Sequence, residues 1–351
     1  MIKQPLLIVV LLLLSVTAYC ATITTTIGSD GGRDYSTVTL WEDDLDNAGV
    51  YASDDYAVGE LYDDSNFSTP ATIVINGGGT IGLIGRTLTV EAGERHSGTA
   101  GSGVEFEGDY EFDLDIADTI VEWIEFDGEG GSIDEAFDLI ATAHNQVVRN
   151  TIIHDFEGAD TKQQAIKFRG NDDILNNIIY DIKCTNAAAL GAVGIQQNTD
   201  GSGEVYNNTV ERVVNDNGTG LAMGFNFLVN VASNIKNNYS SVSGTSSGTK
   251  YTFILGASQV HDYNISSNAQ ATGANSYINI PATSEFTSLT DGSENYHLKA
   301  GCVASNTGVD VGTSPDGVEI DIDGEDRDDL GVTWDITADE ATLTRRVIRS
   351  Q

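Results

Sequence analysis

The 351 residues include only three cysteines, four prolines and 17 lysines and arginines, against 53 aspartates and glutamates. The scarcity of cysteine excludes a disulfide framework. Without Cys20, which sits in a leader-like segment, Cys184 and Cys302 remain as buried free thiols, and the chain has no Cys-x-x-Cys pair for structural zinc. A formal charge of −36 repels phosphate backbones, so nucleic acid is not an expected partner. Beyond residue 20 no run approaches the 18 apolar residues of a membrane span. With 38 glycines and frequent Val, Ile, Thr, Asn and Ser, the composition suits many short strands joined by turns rather than long helices.

The start of the chain reads as a secretory signal over residues 1–20. Lys3 supplies the basic start, and Leu6 to Val16 form an apolar run of h-region length. Cleavage fits after Ala18 or after Cys20. Acylation of Cys20 is disfavoured by the bulky Tyr19 beside it, so the expected location is extracellular, without a lipid anchor.

The middle of the chain repeats. Val148-Arg149-Asn150-Thr151-Ile152-Ile153 matches Ile174-Leu175-Asn176-Asn177-Ile178-Ile179, then Val205-Tyr206-Asn207-Asn208-Thr209-Val210 and Ile235-Lys236-Asn237-Asn238-Tyr239-Ser240. Short β-rich units at this period predict a solenoid whose coils lie ~4.8 Å apart. Asn150, Asn176, Asn207 and Asn237 then form a column whose side-chain amides bond to those above and below, or cap turn carbonyls. Of 25 asparagines, 20 fall between residues 145 and 279, which is where such columns would run.

These coils resemble those of secreted right-handed parallel β-helix proteins, the pectin-lyase-like group of bacteria and their phages. Gly31-Gly32-Arg33-Asp34-Tyr35-Ser36-Thr37-Val38 and Leu40-Trp41-Glu42-Asp43-Asp44-Leu45 are similar to the start of such chains. So are Tyr296-His297-Leu298, Asp321-Ile322-Asp323-Gly324 with Arg327, and Trp334-Asp335-Ile336-Thr337-Ala338-Asp339-Glu340 to their closing segment. The resemblance implies an all-β fold, a single-stranded right-handed parallel β-helix with a short N-terminal capping helix. Ser36 or Thr37 would cap that helix, and Leu40, Trp41 and Leu45 would face the bore. The expected organisation is signal peptide (1–20), N-terminal cap and first strands (21–70), coils (71–285), and a closing segment with a tail (286–351). Fold alone leaves two functions open. One is a non-catalytic secreted or virion-associated protein that engages a polysaccharide or cell-surface glycan. The other is a polysaccharide lyase, with a glycoside hydrolase as its variant, acting on an acidic polysaccharide.

For the hydrolase, Asn198-Thr199-Asp200-Gly201 is similar to the first acidic motif of polygalacturonases, but the companion Asp-Asp and Gly-His-Gly motifs are missing. For the lyase, the resemblance implies an Arg or Lys base, often with Ca²⁺ on the sugar carboxylate. Five of the 17 basic residues fall within residues 149–183, which makes Lys167 and Arg169 catalytic candidates, with the Asp155/Asp181 column beside them. Arg149, His154, Tyr180, Asp172 and Asp173 are the accompanying substrate-binding candidates. Their dull alternative is a set of surface ion pairs. Glu105, Glu107, Asp109, Glu111, Asp113 and Asp115 alternate with apolar residues and glycine, which predicts six carboxylates on one strand face. Asp321, Asp323 and Glu325 form the better-shaped loop for Ca²⁺. The acidity is uneven: residues 1–144 carry −23, residues 145–279 only −3, and residues 280–351 carry −10.

Overall fold

The computed structural model describes residues 20–341, except 65–66, 70, 132–133, 141–143, 160–161, 186–190, 199–200, 217–219, 228–232, 244–249 and 329–332. Residues 1–19, where a signal peptide is expected, Thr199, Asp200 and the residues beyond 341 lie outside the described residues.

The chain winds into a parallel β-helix of three sheets. Among the described residues, the first sheet stacks nine strands from Thr22–Ile27 to Val260–Asp262, and the third stacks seven from Thr72–Ile75 to Lys250–Leu255. The second sheet runs from Glu105–Glu107 to Tyr277–Ile278. One coil shows the plan: Val147–Arg149 in the first sheet, Ile152–His154 in the second, Gln163–Phe168 in the third. The sequence repeat is the coil register. Val148 pairs with Ile174, Ile174 with Val205, and Val205 with Ile235, all parallel. Period-two alternation sends Phe106, Phe112, Phe126 and Phe137 into the bore, where each is fully buried. Their rings meet at 4.9–5.6 Å, within the usual range for aromatic contacts.

The expected asparagine column exists, but two columns share its work. Asn150, Asn176, Asn207 and Asn237 are in register at the corner between the first and second sheets, with φ between 50° and 57°. Asn tolerates this left-handed region better than most residues. That backbone turns their amides away from the bore. They meet the C-terminal segment, residues 303–328 and 333–340, which runs back along this corner as a strap. Asn150 Nδ2 donates to the carbonyls of Ile320 and Asp321, Asn176 Nδ2 to that of Ile320 at 2.7 Å, and Asn237 Nδ2 to that of Val309 at 2.7 Å.

The ladder inside the bore belongs to the next residue of each coil. Asn177 Nδ2 donates to Asn208 Oδ1, Asn208 Nδ2 to Asn238 Oδ1, and Asn238 Nδ2 to Asn264 Oδ1, at 2.9–3.1 Å. The same oxygens accept backbone N–H groups at the corner, which no water could reach. Thr151 ends the ladder by donating to Asn177.

Two expectations fail, each for a local reason. The acidic run is not one strand. Glu105–Glu107 lies in the second sheet and Glu111–Leu114 in the third, with Gly108 at φ 92° turning the chain between them. Alternation survives on both sides of the bend, so the pattern hides it. In the helix Val38–Asp43, Thr37 Oγ1 caps the Leu40 N–H at 3.2 Å, and Trp41 is buried; Leu45, just beyond the helix, is buried too. Leu40 is 46% exposed, and Val38 takes the buried place expected for it. One short helix has room for one narrow apolar stripe.

Asn208→Ala removes an acceptor of two hydrogen bonds and a donor inside the bore. We expect a loss of about 1–3 kcal/mol in urea unfolding. Asn207→Gly keeps the left-handed corner and gives up only a 3.4 Å bond to Val318, so its loss should be smaller.

Candidate functional site

Beyond the corner, the second sheet presents three outward columns. In the first, Asp127 pairs with His154 and Tyr180 with Glu211. The second holds Asp155, Asp181 and Arg212, all left-handed at φ 56°, 53° and 47°. In the third, Glu157 pairs with Lys183 and Lys183 with Val214. The antiparallel hairpin Phe286–Thr290 and Ser293–Leu298 folds back beside them. Between hairpin and sheet lies a groove of about 570 Å³, lined in part by Asp127, Asp155, Glu157, Asp181, Lys183, Arg212 and Asp291. Glu129 joins them, so six carboxylates face two cations.

Arg212 organises this groove. Its guanidinium pairs with both carboxylate oxygens of Asp181, with Glu294, and with the Leu289 carbonyl of the hairpin. It thereby ties the wall to the floor. Tyr296 Oη adds a bond to Glu211 Oε2 at 3.2 Å. Lys183 bridges Glu157 at 3.0 Å and Asp216 at 3.2 Å. His154 is buried, donates to Asp155 Oδ2 at 2.8 Å and Glu125 Oε1 at 2.9 Å, and stacks on Tyr180 with centroids 4.8 Å apart. Burial opposes its charge, but the hydrogen bonds to Asp155 and Glu125 prevail and raise its pKa to about 10. The bond from His154 holds the Asp155 carboxyl below its ordinary value.

The four catalytic candidates do not share a site. Asp155 and Asp181 line the groove, whereas Lys167 and Arg169 belong to the third sheet and its end. Lys167 Nζ sits between Glu135 Oε1 at 2.7 Å and Asp138 Oδ2 at 2.8 Å, and Arg169 meets the same Asp138 oxygen at 2.8 Å. Both cations are ion-paired. The third-sheet face around them still holds acceptors without a partner among the described residues: Asp138 Oδ1, Gln164 Oε1 and Asn226 Oδ1.

The binding candidates divide as well. His154 and Tyr180 lie beneath the groove. Arg149 is on the first sheet, paired with Glu122 at 2.6 Å. Asp172 caps a turn by accepting the Gly170 and Gln146 N–H groups, and Asp173 accepts the Glu204 N–H.

The calcium candidates do not converge. Asp321 spends its oxygens on the N–H groups of Asp323, Glu325 and Glu340, and Asp323 pairs with His297 at 3.0 Å. This is a turn organised by a buried carboxylate, and it does not suit Ca²⁺. Asp181, Asp291 and Glu294 do come close together, but Arg212 already supplies positive charge to two of them.

Sequence reasoning missed Arg212 and Asp291. Arg212 was within reach, since the coil offsets that stack Asp155 under Asp181 continue to it. Asp291 comes from a hairpin that folds back over some eighty residues, and no local pattern marks that. Comparison with protein-family models, curated proteins and solved structures returns no match for this chain.

Several buried groups share one sign of pH dependence. Burial raises Glu105, Glu211 and Glu340 to about 7 and Asp321 to about 6. Each contributes most below the ordinary carboxylate range near ~4 and loses that contribution as pH rises through 6–7. His154 contributes fully below ~6.5 and loses its share as pH rises through about 10. The thermal midpoint should therefore fall from about pH 7 to about pH 10, whereas below ~6.5 buried His96, whose pKa desolvation lowers, acts against the carboxylates. His154→Gln should flatten the alkaline part of that profile in calorimetric scans.

Proposed function

We propose that this protein is a secreted β-helix that binds neutral extracellular glycans in the groove between the second sheet and the hairpin, without cleaving them. The observation that carries this reading is the lining: carboxylates on successive coils, six against two cations, in an open depression of about 570 Å³. Ionised carboxylates are acceptors only, and they suit pairs of sugar hydroxyls, which donate. The same excess of negative charge repels uronate chains, so the acidic polysaccharide expected of a lyase is a poor match for this groove. The cations that a lyase would use as base or clamp are committed. Lys167 and Arg169 hold Asp138 on another sheet, and Arg212 and Lys183 hold acids of the groove itself.

Titration calorimetry against neutral glucans and mannans, with pectate and alginate alongside, tests this. We expect saturable binding of a neutral chain, weakened about tenfold by Asp155→Asn or Glu157→Gln, which is about 1.4 kcal/mol. Formation of unsaturated uronate, or affinity for the acidic chains alone, would overturn it.

A further inference from the structure

A second site lies on the first sheet, at the lower end of the left-handed corner. Successive coils place Asn150, Asn176, Asn207 and Asn237 at that corner, but one coil below them the position is Trp123, at φ 64°. A bulky residue is costly in this region. Where the asparagines donate to strap carbonyls, Trp123 offers a ring. The Arg95 guanidinium lies over it, 4.6 Å from the centroid. Beside it stands Arg149. A pocket of about 160 Å³ opens among Arg95, Trp123, Glu122, Arg149, Gly317 and Ile320.

The hydrogen-bond accounting in this pocket leaves donors over. Both Glu122 oxygens are engaged: Oε1 accepts from Thr89 at 2.8 Å and Oε2 from Arg149 Nε at 2.6 Å. Arg149 spends its Nη1 on the Asp316 carbonyl, and the carboxylate of exposed Asp316 is 3.8 Å away. Arg95 uses only Nε, on the Val90 carbonyl at 3.2 Å. Among the described residues it has no carboxylate partner, in a chain where acids outnumber bases 53 to 17. The strap comes close because residue 317 is glycine, at φ 82°; a Cβ there would overlap the Arg149 guanidinium.

We propose that this pocket binds the oxyanion head group of a ligand, a carboxylate, sulfate or phosphate, between Arg95 and Arg149 against the Trp123 edge. Its volume of about 160 Å³ has room for such a head group. Two guanidinium forks with free N–H groups match oxyanion geometry better than ammonium groups would. The pocket and the groove are on different sheets, so either can fail without the other.

The test uses the full chain and three probes at constant ionic strength: sodium acetate, sulfate and phosphate, measured by titration calorimetry. Saturable binding of at least one is expected, weakened about tenfold in Arg95→Gln, with circular dichroism showing that the variant keeps the β fold. Trp123→Leu should weaken it too, as a second variant that leaves both cations in place. Preference for acetate would identify a carboxylate ligand, and preference for sulfate or phosphate a sulfated or phosphorylated one. No saturable binding of any probe, or wild-type affinity in Arg95→Gln, would overturn the proposal.

Discussion

At one corner of the central coils, backbone N–H groups point into a bore sealed from solvent, and something must accept their hydrogen bonds. The ladder of Asn177, Asn208, Asn238 and Asn264 does so, each side-chain oxygen taking one backbone and one side-chain donor from the coil below. Because an amide both donates and accepts, the column closes on itself with little left over. Coil spacing, register and the left-handed corner are all tied to it. The aromatic stack along the other walls fills volume, but hydrophobic contact has no direction and could not fix the register alone.

The electrostatics are local, although the composition suggests a uniformly negative surface. Arg149, Lys167, Arg169, Lys183 and Arg212 are each held by one or more acids, and these knots do structural work. Arg212 joins hairpin to sheet, Lys167 and Arg169 share Asp138, and buried Arg327 meets Glu340 at 3.0 Å within the strap. What remains for a ligand is the residue of this pairing. In the groove the remainder is negative, and beside Trp123 it is positive. Net charge predicts neither.

The fold was largely legible because a solenoid repeats its evidence. The match of Val148 to Ile174, Val205 and Ile235 carries the register directly, and the alternation around Phe112 or Phe168 carries the inward face. The choice of asparagine was not legible: Asn176 and Asn177 are adjacent and identical, and only a backbone angle decides which one enters the bore. The site was legible in part. Asp155 and Asp181 share a column, as the repeat offset requires, but the alternation around Lys167 says only that it faces outward, not on which of three sheets. Anything contributed by the strap or hairpin was out of reach, since those partners meet across long stretches of sequence.

That strap has a consequence for how the molecule is made. Its bonds join Asn150 to residues 170 and 171 positions later, and Asn207 to one 111 positions later. Such contacts carry a large loop-closure cost and form late. The coils can assemble in order as the chain emerges, each templating the next, but the strap finds its carbonyl-to-amide seats only on a stack already built over several turns. It works as a final fastening, one that a chain with a misregistered coil could not complete.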